Sequence, residues 1–339
     1  MKFDRTPLSM KGRLEMRPID SQVLKGNALG DPHLREVPVY IPPGVDEQGL
    51  PCVFILSAFT GTPYPLMERH PWKMGALWKY ESMVLAGEAA PALIVMPDTF
   101  TRLGGSQFVN SSAVGRYEDH MIEEVVPFIQ EHYAPDPRRR IVVGKSSGGF
   151  GALHLAMRHP GTFQVVGSIA GDCHFDYGYG SEMLAGLREI EKHQGDPALF
   201  LKKFFETQKL DGDAHAALNL LAMSACYSPN PEASLGFDLP IDLHTGIRNQ
   251  AVWDRWLAFD PVQACTQYPE SLRGLKGLYL EAGKRDEFHL QFGLRVLVQE
   301  LKRLGIPHDH VEFDGGHFGM DVRFETVLPR LLQYVQVNG

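Results

Sequence analysis

The run Ile141-Val142-Val143-Gly144-Lys145-Ser146-Ser147-Gly148-Gly149 constrains this chain more than any other feature. Three β-branched residues stop at a glycine, a serine follows one residue later, and two further glycines open a helical pattern. This is G-x-S-x-G in a strand–turn–helix context. A serine whose hydroxyl stands clear of a sheet must sit on a sharp, strained turn. Strand and helix then close on each other only where side chains are absent. Without chemistry the same letters describe an ordinary tight turn, but either way a strand must feed directly into a helix.

The remaining pattern agrees with an α/β protein. Apolar runs predict strands at 37–41, 52–56, 93–96, 141–143, 164–169, 275–280 and 310–313. Helical spacing predicts helices at 117–133, 148–158, 290–304 and 324–335, with a kink at Pro127 in the first. Such alternation implies a mostly parallel central sheet with helices on both faces. The alternation fails between the strands at 164–169 and 275–280. That stretch carries helical patterns at 182–193, 197–207 and 214–223, then a Pro-rich link at 228–231 and an aromatic segment at 251–256, and is too long for a simple crossover. We read residues 175–272 as a helical cap, and 1–174 and 273–339 as the two parts of the core. The cap is expected over the C-terminal edge of the sheet, where open α/β folds place ligands. A peripheral helical layer is the alternative.

A serine hydroxyl attacks only when a base takes its proton and an acid orients the base. In this architecture the partners follow as acid, then histidine. Asp286 lies in the loop after the 275–280 strand and is the candidate acid, with Glu281 and Glu287 as runners-up. His317 follows the last strand, in Gly315-Gly316-His317-Phe318-Gly319, where flanking glycines let a loop carry the ring over the sheet edge. His289 and His310 fall on predicted regular structure and are set aside. A developing oxyanion needs donors. The expected ones are the backbone N–H groups of Ser147 and Phe59, the latter in the small-residue loop Leu56-Ser57-Ala58-Phe59-Thr60-Gly61-Thr62, with Ala58 and Thr60 as alternatives. Lys145, Asp172, His174, Trp253 and Trp256 are candidate substrate-binding residues. The two tryptophans serve equally well as cap core. Lys145 is expected to pair with a carboxylate and stiffen the elbow. Asp213 is expected to cap the helix that follows it.

Composition narrows the function class. A formal net charge of −8 without a basic block argues against nucleic acid or an anionic membrane as partner. Arg138-Arg139-Arg140 reads as a solvated loop. Cys52, Cys173, Cys226 and Cys265 are scattered, which suits a reducing compartment and neither a disulfide framework nor a zinc site. Residues 1–7 contain no apolar stretch of a leader, and no run approaches membrane-spanning length, so a cytoplasmic location is expected. Neither a metal nor a cofactor is called for. A homo-oligomer is left open.

The sequence Gly144-Lys145-Ser146-Ser147-Gly148-Gly149-Phe150-Gly151-Ala152-Leu153 resembles the elbow of the putative-esterase branch of the α/β-hydrolases. That branch includes esterase D (S-formylglutathione hydrolase), enterochelin, feruloyl and acetyl-xylan esterases, and mycolyltransferases. The loop from Leu56 to Thr62, the stretch from Ser106 to Tyr117, Asp286 and the Gly315-Gly316-His317 turn match as well. The resemblance runs over about 37–335, apart from the cap. It implies an α/β-hydrolase fold and a serine esterase acting on a small-molecule carboxylic ester through an acyl-enzyme. An acyltransferase or thioesterase would use the same machinery. A non-catalytic binding protein on this fold would predict erosion of the triad. Three positions depart from the pattern: Lys145 where a histidine or neutral residue is usual, Ser147 where methionine is common, and Gly61 where S-formylglutathione hydrolases carry cysteine.

Overall fold

Eight strands form one sheet in the computed structural model, which describes residues 9–70 and 74–336. Residues 1–7, read above for a leader, lie outside the described residues. The strands are β1 (Arg13–Asp20), β2 (Leu34–Ile41), β3 (Cys52–Leu56), β4 (Leu93–Val95), β5 (Arg140–Lys145), β6 (Val165–Ile169), β7 (Gly277–Gly283) and β8 (Asp309–Phe313). Their spatial order is β1-β2-β4-β3-β5-β6-β7-β8. The β1–β2 and β2–β4 pairs are antiparallel, and every later pair is parallel. Strands β3, β6 and β7 are buried along their whole length, which is why they read as continuous apolar runs. Strand β1 gave no such signal. It is an antiparallel edge strand, Arg13, Glu15 and Arg17 alternate along it, and most of it is at least partly exposed. Its Pro18 is tolerated at an edge.

The 117–133 segment departs from the expected kinked helix. A turn at Tyr117–Asp119 passes into a π-helical stretch, His120–Val125, and then into an α-helix, Val126–Tyr133. The Val126 N–H reaches back to Met121 O. Pro127, which has no N–H to donate, follows directly on this widening, and the backbone stays helical through it. A wide turn thus replaces the kink.

We number the remaining long helices α1 (Ala76–Ala86), α2 (Val126–Tyr133, above), α3 (Ser147–Arg158), α4 (Gly178–Glu191), α5 (Pro197–Thr207), α6 (Gly212–Tyr227), α7 (Gln250–Leu257), α8 (Pro261–Gln267), α9 (Pro269–Arg273), α10 (Leu290–Arg303) and α11 (Phe324–Gln333). Helices α4 to α9 lie between β6 and β7. Their aromatic core, with Phe175, Tyr179, Tyr227, Trp253 and Trp256, is separate from the core around the sheet and includes residues from outside the insertion, among them Phe59, Val109, Tyr117 and Phe150. Helices α8 and α9, counted with the cap by sequence, pack instead on α3 and α10. Asp211, not Asp213, caps α6, accepting from Ala214 N. Asp260 joins the two ends of the insertion: its buried carboxylate accepts N–H bonds from His174 (2.9 Å), Phe175 (2.7 Å) and Val262 (3.0 Å).

Candidate active site

The elbow is built by the absence of side chains. A Cβ on Gly144 would lie 2.3 Å from the Gly148 carbonyl carbon, and one on Gly148 would lie 2.2 Å from Leu56 O. Between them Ser146 adopts φ 54° and ψ −127°. A non-glycine residue in that region stores strain of about 1–3 kcal/mol and persists only where its surroundings over-determine it. Here Ser146 N donates to Ile169 O (2.9 Å), and Phe150 N donates to Ser146 O (3.0 Å). The turn is therefore held from β6 and from within α3.

The loops after β7 and β8 meet this serine. His317 Nε2 lies 3.0 Å from Ser146 Oγ, and His317 Nδ1 lies 2.8 Å from Asp286 Oδ2. Asp286 is buried, and its other oxygen accepts from Phe288 N (3.0 Å) and Leu290 N (3.3 Å), the entry to α10. The runner-up carboxylates stand elsewhere. Glu287 accepts the backbone N–H of His317 (2.6 Å) and so anchors the histidine loop. Glu281 is fully buried on β7 and forms a two-pronged pair with Arg323 at 2.9 and 2.7 Å.

A cavity of about 160 Å³ opens over Ser146. Ala58, Phe59, Thr60 and Ser147 line it, and neither the Phe59 nor the Ser147 N–H is spent on another backbone acceptor among the described residues. Lys145 lines it too, with its ammonium engaged by Asp321. Asp172 lines it and accepts from Tyr179 OH (2.8 Å) and Ser147 Oγ (3.1 Å). Burial pushes the Asp172 carboxyl above the usual range, against the pull of those donors and of His317.

Three sequence candidates fall outside this cavity. His174 stacks on Tyr177 at 3.9 Å and does not line it. Trp253 and Trp256 are buried in the cap core; Trp256 donates to Ser228 Oγ (2.9 Å) and packs edge-on against Tyr179 and Tyr227. Both pack within the helical insertion, and neither lines the cavity over Ser146. Conversely, the cap supplies lining residues that sequence reasoning missed: Tyr179 and Glu182 from α4, His215 and Asn219 from α6. Their 3- and 4-residue spacings were visible. Which face of each helix turns toward the sheet was not. His215 sits between Phe59 and Phe288 (5.8 Å to each), and Phe288 packs edge-on against His317 at 4.7 Å. Burial, aided by His317, lowers the His215 pKa.

Below the cavity a second polar cluster ties α3 in place. Glu118 accepts from Arg158 Nε (2.8 Å) and contacts His159 Nε2 (2.8 Å) and His154 Nε2 (3.1 Å). Burial alone would raise its carboxyl, but these partners hold it far below the usual range. Among the described residues no group of three or more His, Cys, Asp or Glu is arranged to hold a metal, and no helix is long and apolar enough to cross a membrane.

The family model described as "Putative esterase" matches residues 32–325. The S-formylglutathione hydrolase of Mus musculus is 26% identical over 144 residues, 40% of this chain and 51% of the relative. The Rattus norvegicus enzyme matches over the same extent at 26%. The chain thus spans about half the length of the curated relatives it matches. Among solved structures, an S-formylglutathione hydrolase from Agrobacterium tumefaciens superposes with a TM-score of 0.62 at 17% identity, covering 98% of this chain and 99% of its own. A ferulic acid esterase gives 0.58 at 17% identity, over 96% and 100%. At such identity these two speak for the fold alone, an α/β-hydrolase.

Proposed function

The chain belongs to the putative-esterase family, and on that premise we propose that it is a serine hydrolase of carboxylic esters. The observation that carries this reading is the Ser146–His317–Asp286 relay, with contacts of 3.0 and 2.8 Å. His317 Nε2 takes the proton of Ser146 as Oγ attacks the ester carbonyl. Asp286 holds the ring by Nδ1 and stabilises the imidazolium that forms. The developing oxyanion sits between the N–H groups of Phe59 and Ser147. Collapse expels the alcohol, which receives the proton from His317 and leaves an acyl group on Ser146. Water deprotonated by His317 then attacks the acyl-enzyme and releases the acid.

The elbow's strained φ matters to this chemistry. It lifts Oγ off the sheet edge while the next N–H, that of Ser147, opens the α3 N-terminus at the place where negative charge develops. Lys145 serves the scaffold in this scheme: its ammonium is bound to Asp321, in the segment that follows His317. The test is a fluorophosphonate probe. Stoichiometric adduct on Ser146, absent in Ser146→Ala, together with hydrolysis of 4-nitrophenyl acetate, supports the assignment. Undiminished labelling of the variant refutes it.

A further inference from the structure

The cap side of the cavity carries an imbalance of charge. Its carboxyl groups are those of Asp172 and Glu182. The lining ammonium, Lys145, is already engaged by Asp321. The other nitrogen bases on the lining are His317, committed to Ser146 and Asp286, and His215, whose pKa is lowered by burial. No cation of the described residues is thus placed to compensate the two carboxyls.

Each of these carboxyls is half used. Asp172, 8% exposed, takes both of its hydrogen bonds, from Tyr179 and Ser147, on Oδ2. Glu182 takes its bond from Asn219 Nδ2 (3.2 Å) on Oε2. The partner oxygens, Asp172 Oδ1 and Glu182 Oε1, accept nothing from the described residues. Neither oxygen is sealed from solvent, so both are open to a group entering the cavity, and taking water from a carboxylate without replacing its donors is costly. A ligand group that covers this wall must therefore bring donors. An alkyl group brings none, and a carboxylate adds repulsion. A hydroxyl brings one donor and no charge. A primary ammonium brings three donors and the missing positive charge.

We propose that the cavity selects esters bearing a protonated amine, seated against Asp172 and Glu182. The proposal rests on the esterase reading of the same site and names its substrate class. Burial raises both carboxyl pKa values, as expected for acids that lack a counter-charge until one arrives.

Hexylammonium, hexan-1-ol and hexanoate test it as competitive inhibitors of 4-nitrophenyl acetate hydrolysis. Their shared chain makes apolar burial cancel, so the ratio of inhibition constants reports the head group. Hexylammonium is expected to inhibit about tenfold more tightly than hexanol, the worth of one charge-assisted hydrogen bond, with hexanoate weakest. In Glu182→Gln and in Asp172→Asn that ratio should fall toward unity. Thermal midpoint and fluorophosphonate labelling verify that each variant is folded, and Glu182→Gln, the less buried site, serves if Asp172→Asn is not. Equal inhibition by alcohol and amine would mark a hydroxyl site and overturn the proposal, as would an unchanged ratio in both variants. Absence of both hydrolysis and Ser146 labelling would instead sink the esterase reading. Calorimetric titration with hexylammonium and hexanol then judges the amine site alone, and equal affinities refute it.

Discussion

Asp286→Asn tests the relay more sharply than deletion of any member. The two oxygens of Asp286 have divided duties: one accepts from the N–H groups of Phe288 and Leu290, the other faces His317 Nδ1. An asparagine at this buried site has one oxygen to place. Turning its NH₂ toward the two backbone amides would leave both donors unpaired, at about 1–3 kcal/mol for the buried Leu290 N–H alone. The oxygen therefore stays with the backbone, and the NH₂ donates to His317 Nδ1. The imidazole proton must then move to Nε2, which lies 3.0 Å from Ser146 Oγ. The base becomes a donor toward the hydroxyl it should deprotonate. A wrong tautomer of this kind lowers turnover by about 10⁴, or roughly 5.4 kcal/mol of transition-state stabilisation. The isosteric change leaves the packing intact, so the thermal midpoint should move little. The assay is kcat/KM for 4-nitrophenyl acetate, with the fluorophosphonate labelling rate expected to fall in parallel. Activity within about tenfold of the parent would refute both the tautomer argument and the role given to Asp286.

Two further outcomes follow from clusters outside the relay. Glu118→Gln should destabilise the fold by about 2–4 kcal/mol at pH 7, because a buried carboxylate leaves three partners at once. The fold holds the Glu118 carboxyl below its ordinary range, so its contribution is complete above about pH 4.3 and drains as pH falls below it. Urea midpoints of parent and variant should therefore differ at pH 7 and converge at pH 3; a gap of the same size at both contradicts the network's role. Lys145→Met should lower stability by no more than about 1 kcal/mol, since the pair with Asp321 is partly exposed, and leave the rate ratio of anionic to neutral esters nearly unchanged. A selective loss on anionic esters with stability intact would make Lys145 a specificity residue.

The sheet was legible where strands are buried on both faces. Val53, Phe54 and Ile55 have no polar alternation because no side of β3 meets water, and the same is true of β6. Strand β1 was illegible for the complementary reason, its solvated edge position. The elbow announced itself because its serine and glycines are contiguous in sequence, although the backbone that Gly148 approaches, at Leu56, lies far along the chain. Asp286 and His317 were singled out by their position after strands, which a parallel sheet brings to one edge, and their side chains lie in line with Ser146. The cap wall was not found. Glu182 and His215 lie on helices whose orientation is set by packing of Trp253, Trp256 and Tyr227, and aromatic residues announce burial without saying against what. His174 was misplaced for a related reason. Its φ of 53° swings it away from the cavity that its neighbours Asp172 and Cys173 line.

The Asp260 carboxylate has a consequence for how this architecture can vary. It bonds the amides of His174 and Phe175 across 86 and 85 residues of chain. Everything between is tied off at its neck, so the sheet carries a closed ring and not an open excursion. Lengthening such a ring adds only a logarithmic entropy term. The segment within the neck can therefore be exchanged for one of different size and lining while β6 and β7 keep their register. Ser146 lies before the neck, and Asp286 and His317 lie after it. Grafting foreign sequence between residues 176 and 258 would replace the cavity lining at Tyr179, Glu182, His215 and Asn219 while Ser146, Asp286 and His317 stay where they are.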